Sequence, residues 1–149
     1  MTLRIAICAA LTLAPAVAVA AAPHIIPLTQ VPCQFLESEA GKDRGFKSVK
    51  SEDCEAINKA SGKKRLAEAK TVELKPGKYV FRVTNQNVPY ELGFWLRGAS
   101  LKDRVFLPSV SGGGLATGKT QDYEIELKPG NYVYSCPLNP TPDYKLVVR

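Results

Sequence analysis

The chain has 149 residues, a formal net charge of +6 and 45% hydrophobic residues, which suits one domain with a hydrophobic core. Basic and acidic residues are interleaved along its length, whereas a nucleic-acid surface needs basic residues gathered on one face. The composition therefore predicts a mixed charged surface with mild attraction for acidic partners, and no nucleic-acid partner.

The N-terminus predicts a secretory signal peptide over residues 1–20. This stretch contains Arg4, then an apolar run, then small residues in an A-x-A arrangement. Pro15 interrupts the apolar run, and no later run approaches the roughly eighteen apolar residues of a membrane span. We expect cleavage after Ala20 or Ala21, a mature protein without a membrane span, and a periplasmic or secreted location.

Residues 21–70 are predicted to form an N-terminal extension that shares one compact domain with the rest of the chain. Residues 24–34 have the pattern of an extended segment interrupted by two prolines. Residues 35–50 are polar and predict a loop, in which Glu37 and Glu39 are expected to be solvated carboxylates rather than ligands.

A short helix is predicted over residues 51–61. Ser51 is the expected N-terminal cap, and Glu52 and Asp53 fall in the first turn, where acidic residues are favourable. Gly62 is the expected end of this helix, and the stretch KKRLAEAK beyond it could add a further helical turn.

Three cysteines follow the signal peptide, namely Cys33, Cys54 and Cys136. In an oxidising compartment the default is a disulfide, and an odd number leaves one thiol over. Cys33 and Cys54 are the preferred pair because both lie in the N-terminal part, and closing that loop would contribute roughly 3 kcal/mol. Pairing of either one with Cys136 stays open.

From residue 71 the sequence predicts strands. The stretches TVELKPGKYVFRVTN and YEIELKPGNYVYSCP share E-L-K-P-G-x-Y-V at an offset of 53 residues. We interpret each copy as a hairpin with a Pro-Gly turn. Each copy also places three side chains on one face, predicted to point into the core: Tyr79, Phe81 and Val83 in the first, and Tyr132, Tyr134 and Cys136 in the second.

The stretches ELGFWLRG and DYKLVVR predict two more strands. Short strands separated by Pro and Gly turns are typical of an antiparallel β-sandwich, so residues 71–149 are predicted to form its core. Trp95 and Arg97 are out of phase with the apolar residues around them and are expected on an exposed sheet face.

A nucleotide motif at residues 113–120 (GGLATGKT) matches G-x-x-x-x-G-K-[ST] and would nominate Lys119 and Thr120 for phosphate and magnesium. That chemistry needs a helix beginning at the loop. The residues that follow, QDYEIELKPG, alternate as a strand does and then reach a turn. We therefore interpret the motif as a Gly-rich loop between strands.

Two stretches resemble the cupredoxin family of blue-copper proteins. In that family a strand ends in Asn and is soon followed by Pro-His, where this chain has NQNVPYEL (85–92). Later the family has an aromatic-x-Cys strand end and a loop with His and often Met, where this chain has YSC (134–136) and then PLNPTP (137–142). The resemblance covers residues 71–149 and implies a Greek-key β-sandwich, here preceded by the short helix.

The ligand set that the resemblance implies is largely missing. A type 1 copper site needs two imidazoles and a thiolate, and only Cys136 is in place. Tyr90 stands at the first histidine position, His24 is the one histidine, and no methionine follows the signal peptide. Three roles stay open for Cys136: a buried structural thiol, half of a disulfide, or a soft copper ligand in an altered site with Tyr90, His24, Cys33 or Cys54.

These observations predict an exported cupredoxin-like binding protein and no enzyme, since the mature chain has one histidine and no recognisable triad. It would bind copper at an altered, non-type-1 site through Cys136, or serve a partner protein of a copper, respiratory or other electron-transfer pathway. The alternative is a metal-free protein-interaction module that uses its PLNPTP and SGGG loops.

Overall fold

The computed structural model describes residues 22–149, so the predicted signal peptide lies outside the described residues. The elements follow one another as β1 (His24–Val31), β2 (Gln34–Phe35), a 3-10 helix (Glu37–Glu39), α1 (Ser51–Glu68), β3 (Val72–Leu74), β4 (Gly77–Asn85), β5 (Leu92–Gly98), α2 (Leu101–Phe106), β6 (Val110–Leu115), β7 (Thr120–Leu127), β8 (Gly130–Ser135) and β9 (Tyr144–Val148). Neither helix of this range is long and apolar enough to cross a bilayer.

Two sheets pack face to face, with strand orders β2-β1-β4-β7 and β3-β9-β8-β5-β6. The predicted mainly β sandwich is thus confirmed. The pairs β1–β4 and β3–β9 are parallel, so the sheets are mixed rather than wholly antiparallel, because a long crossover containing α1 separates β1 from β4. β1 lies inside its sheet, and residues 24–35 therefore supply two strands of the sandwich.

Aromatic side chains dominate the space between the sheets. Phe94 stacks on Phe81 at 5.5 Å between ring centroids, and Phe35 packs edge-on against Tyr134 at 5.6 Å and Tyr144 at 6.0 Å. The inward faces predicted from alternation are confirmed, since all six predicted side chains, Cys136 among them, are buried.

The two E-L-K-P-G-x-Y-V copies are not hairpins, and that prediction is wrong. β3 and β4 belong to different sheets, as do β7 and β8, so each copy carries the chain from one sheet to the other. In each, a tyrosine hydroxyl donates a 2.9 Å hydrogen bond to a carbonyl four residues earlier, from Tyr79 to Lys75 and from Tyr132 to Lys128. This arrangement is a tyrosine corner. It explains why both copies of the repeat carry a tyrosine two residues after Lys-Pro-Gly.

Helix α1 has 18 residues and continues past Gly62 to Glu68, so it is longer than the short helix predicted over 51–61, and the predicted end at Gly62 is wrong. Gly62 is buried and faces Pro142, with Pro142 Cγ 3.8 Å from where a glycine Cβ would lie. Packing of this kind overrides the low helix propensity of glycine. Ser51 is not the cap; instead the Asp53 carboxylate accepts the N–H of Lys50 at 3.2 Å.

The face of α1 turned to the sandwich is polar. Cys54, Asn58, Gly62 and Arg65 recur at the three- and four-residue spacing of one helix side. Arg65 is only 1% exposed, and its guanidinium donates to Glu39 at 2.7 Å, to the Cys33 carbonyl at 2.7 Å and to Asn58 at 2.6 Å. Hydrogen bonds and an ion pair therefore hold this helix where apolar contacts would normally do so.

Glu39 is the acceptor at the centre of these contacts, and its predicted solvation is wrong. It is 5% exposed and accepts from Arg65, from Arg44 and from the Tyr144 hydroxyl at 2.6 Å. Burial alone would raise the pKa of Glu39, but hydrogen bonds from Arg65, Tyr144 and Arg44 outweigh it and lower the pKa. Glu37, by contrast, is exposed as expected.

Replacing Glu39 with Gln should destabilise the protein by about 3 kcal/mol at pH 7, because Arg65 is left buried without its counter-ion. A lowered folded-state pKa means that the carboxylate stabilises the protein above its unfolded pKa of about 4.3, and that this contribution is lost as the pH falls through the folded value. The difference in free energy of unfolding between wild type and Glu39→Gln, measured in urea, should therefore shrink below about pH 4.

Glu55→Gln is the matched control, with an expected change of less than about 1 kcal/mol at either pH because its side chain is exposed on α1. Equal effects of the two substitutions at pH 7 would contradict the role given to Glu39.

Candidate functional site

Cys136 lies just past the end of β8, at the end of the sandwich where the resemblance places a metal. Its side chain is 1% exposed, and Sγ accepts the backbone N–H of Gly93 at 3.4 Å and of Asn139 at 3.2 Å. Burial raises the pKa of the Cys136 thiol, and hydrogen bonds from these two amides offset the rise only in part. The sulfur is therefore a protonated thiol at neutral pH, and not a ready nucleophile.

Asn139 joins the loop after Cys136 to the first sheet, and sequence reasoning missed it. Its Oδ1 accepts the Cys33 N–H at 2.8 Å, while Nδ2 donates to the Val31 carbonyl at 3.1 Å and to Gln30 Oε1 at 3.3 Å. Asn139 and Gln30 are both 0% exposed. The available signals were a polar Gln inside an apolar strand and an Asn in the loop that should carry a histidine.

The predicted disulfide between Cys33 and Cys54 is confirmed. Both cysteines are fully buried, and Cys54 Sγ lies 3.2 Å from Asn139 Oδ1. A disulfide sulfur has no proton to donate, so this contact is packing rather than a hydrogen bond. The disulfide thus fixes the N-terminal end of α1 over the loop that follows Cys136.

Tyr90, at the first histidine position of the resemblance, lies beside this disulfide. The buried Asn85 side chain donates to the Tyr90 carbonyl at 3.1 Å and so shapes the turn that presents it. The Tyr90 hydroxyl is 3.0 Å from Ser48 Oγ and 3.9 Å from Cys54 Sγ. Burial raises the pKa of Tyr90, which keeps the hydroxyl protonated as a hydrogen-bonding group.

His24 is far from this group. It pairs with Tyr79 at the start of β1, whereas Gln30 pairs with Asn85 at the other end, roughly 20 Å away at the rise of a β-strand. Its imidazole is exposed, with the ring centroid 5.5 Å from that of Tyr79. The structure therefore brings Tyr90 and the disulfide to the Cys136 end and leaves His24 at the opposite end.

The residues present do not fit a type 1 copper site. Within residues 22–149 no group of three or more His, Cys, Asp or Glu side chains could hold a metal ion. The buried thiol of Cys136 accepts hydrogen bonds from two backbone amides, and the buried side chains of Asn139 and Gln30 are hydrogen-bonded to each other. The nucleotide motif at residues 113–120 is not followed by a helix, because Thr120 begins strand β7.

An open cleft lies beside this closed core. Residues 93–95 of β5, residues 111–113 of β6, Pro137 and Leu138 line a volume of about 350 Å³. Leu138 is 46% exposed at its rim. At Gly93 a Cβ would fall 2.5 Å from the carbonyl oxygen facing it on β6, so the close approach of the two strands requires glycine.

Trp95 and Arg97 form a stacked pair, but the predicted exposure of Arg97 is wrong. The guanidinium carbon lies 3.9 Å from the Trp95 ring centroid, and the side chain donates to Ser135 Oγ at 3.0 Å and to Asp143 at 2.8 Å. Arg97 is 6% exposed. Hydrogen bonding to β8 and to the loop before β9 covers a sheet face that alternation alone assigned to solvent.

The sheet order, the Cys136 position and the loop that follows it define a cupredoxin-like β-sandwich. Among solved structures, auracyanin B, a cupredoxin, matches with a TM-score of 0.53 and 12% sequence identity over 88% of this chain and 93% of that chain. No protein-family model and no curated protein matches the chain. At this identity the likeness shows the fold, which agrees with the resemblance found in the sequence.

Asn139→Ala should destabilise the protein by about 2–4 kcal/mol, because it leaves the buried Cys33 N–H and Val31 carbonyl without partners. Urea unfolding at neutral pH measures the change. Asn87→Ala is the control, since Asn87 is exposed in the β4–β5 turn and should shift stability by less than about 0.5 kcal/mol. A loss below about 1 kcal/mol for Asn139→Ala would show that it does not organise this end.

Proposed function

We propose that this protein is an exported, metal-free binding protein that docks a partner protein at the cleft between β6 and residues 137–142. One contrast carries the proposal. The core at Cys136 is closed by a disulfide and by hydrogen bonds to Asn139, while the cleft beside it is open and rimmed by the exposed Leu138.

The closed core supports operation without a metal. A metal at Cys136 would need the buried thiol deprotonated, together with further ligands close by. Tyr90 is engaged with Ser48, and Asn139 is committed to three partners in β1 and the turn after it. Opening that network would expose buried amide groups at a cost of about 1–3 kcal/mol each.

The composition of the cleft supports protein docking. Leu138 provides an apolar rim, and prolines flank it at 137 and 140, which lowers the ordering cost when a partner binds. Residues 112–114 are all glycine on the edge strand β6, so main-chain groups lie close to the surface. An extended apolar segment of a partner suits such a cleft.

The disulfide supports export, because disulfides persist in oxidising compartments, and the predicted signal peptide agrees. A catalytic role has no support from the thiol, because buried, protonated cysteines are inert. We therefore propose binding rather than catalysis.

Copper binding at an altered site is the second candidate. The observation that favours it is the position of Cys136 at the strand end of a cupredoxin-like fold, because a thiolate favours Cu(I). In this candidate the amides around Cys136 would support the thiolate, and the mature protein would carry copper.

The experiment has two arms. In the first, metal content and free thiols are measured on the mature protein and on Cys136→Ser. Both are purified from the compartment to which the protein is exported. We expect copper far below one per chain in both. In wild type we expect no rapidly reacting thiol when folded, and one thiol after unfolding without reductant. Stoichiometric copper that disappears in Cys136→Ser would select the second candidate.

In the second arm, a photo-crosslinking phenylalanine analogue replaces Leu138 or, as a control, Val49, which is 78% exposed but lies outside the cleft. We expect a defined covalent complex in cells from position 138 and none from position 49. Absence of a complex at 138, or the same complex at both, would contradict docking at the cleft.

A further inference from the structure

We propose that α2, which follows the end of β5, forms a second binding surface and that it contacts an anionic lipid membrane. Its apolar residues are not among those that line the cleft, so the inference goes beyond the proposed function and does not depend on it. Its members are three apolar side chains of α2, which we call the α2 patch: Leu101, Val105 and Phe106.

The α2 patch is unusually exposed for large apolar side chains. Leu101, Val105 and Phe106 are 81%, 76% and 70% exposed, and no residue of α2 is buried. Leu101 and Val105 lie one turn apart on the same side of the helix. Clustered exposure of this kind, unlike scattered apolar residues, marks a surface that binds something.

The α2 patch is held outward and does not fold back on the sandwich. Ser100 Oγ accepts the Asp103 N–H at 3.1 Å, and Asp103 Oδ2 in turn accepts the Ser100 N–H at 3.1 Å, which closes the first turn. At the other end Leu107 packs against Gly130, where a Cβ would lie 2.6 Å from its side chain. Both ends of the helix are therefore anchored while its apolar side chains face solvent.

The charges around the α2 patch favour an anionic surface. Lys102 is exposed within the helix, as is Arg104, which also donates to the Gly98 carbonyl at 3.4 Å. Lys128 is exposed in the adjacent β7–β8 turn, two residues before Gly130. The one acid of the helix, Asp103, is engaged in the capping contacts. Basic residues next to apolar ones are the composition of peripheral membrane contacts, where each attracts anionic headgroups.

A second copy of the chain is a poorer occupant. A two-fold contact would bring Lys102 and Arg104 of each copy towards their equivalents, and like charges disfavour it. The patch consists of three side chains on one short helix, well short of the roughly 800 Å² per partner of a stable interface. A lipid surface needs no complementary groove.

The first described strand also begins at the α2 end. The described chain enters β1 at His24, which pairs with Tyr79, and Tyr79 bonds to Lys75 in the turn before β4. Leu74 and Gly130 both pair with Val148 across neighbouring strands, so this entry point lies at the α2 end. The α2 patch contributes no residue to the lining of the cleft, although Arg104 of the same helix lies 5.9 Å from the ring of Trp95, which lines it.

The test is co-sedimentation of the exported protein with vesicles of phosphatidylcholine alone or mixed with phosphatidylglycerol. We expect binding to the mixed vesicles only, and weakening as salt is raised. Val105→Ser with Phe106→Ser should lower the partition coefficient at least about tenfold, as should Lys102→Glu with Arg104→Glu.

The control variants are Val49→Ser, at an exposed apolar residue away from α2, and Lys59→Glu with Lys63→Glu, at exposed positions on α1. Both should bind as wild type does. Every variant carries the same N-terminus, so differences between variants report α2 alone. Far-UV circular dichroism checks that each variant is folded.

Three results would overturn the proposal. Wild type that fails to bind the mixed vesicles would exclude the membrane as occupant. Equal binding by wild type and both α2 variants would place any membrane contact elsewhere. A dimer seen in sedimentation, lost in Val105→Ser with Phe106→Ser and accompanied by no vesicle binding, would make α2 a protein interface.

Discussion

The buried ion pair between Arg65 and Glu39 fixes the position of α1, and the closed end of the molecule depends on it. Removing two charges from water costs several kcal/mol each, so such a pair stabilises a fold only when the remaining polar atoms are satisfied. Here Glu39 accepts from three side chains, and Arg65 also reaches the Cys33 carbonyl and Asn58. Few other placements of α1 would satisfy all of these groups, so the pair selects one orientation of a helix with a polar buried face.

That orientation determines what occupies the end where a cupredoxin-like fold would hold a metal. With α1 in place, Cys54 meets Cys33, and the disulfide packs on Asn139, whose backbone amide reaches Cys136. A type 1 site joins its ligand residues through bonds to one metal ion. In this chain a covalent bond and a set of amide hydrogen bonds join the corresponding strand end and loop to the first sheet, so this end is organised by the polypeptide itself.

Local sequence patterns predicted the parts of this structure that local forces decide. Alternation identified the inward faces of β4 and β8, and the resemblance of the stretches NQNVPYEL and YSC to cupredoxin motifs implied the cupredoxin-like fold. The same local pattern E-L-K-P-G-x-Y-V suits a hairpin and a crossing between sheets equally well, and only the distant pairing of β3 with β9 separates them. The burial of Glu39 depends likewise on Arg65, far along the chain, and the contact of Asn139 with Gln30 joins residues more than one hundred positions apart.

The two ends of the sandwich therefore differ in physical character. At the cleft end, buried polar groups are paired with one another, and what reaches the surface is a short apolar rim on a rigid loop. At the α2 end, the polar groups of the helix close its first turn, and the apolar side chains are left in solvent beside lysine and arginine. Strands β5 and β8 span the distance between the two ends as parts of one hydrogen-bonded sheet. A rigid connection of this kind fixes the distance and orientation between the α2 patch and Leu138 at the rim of the cleft.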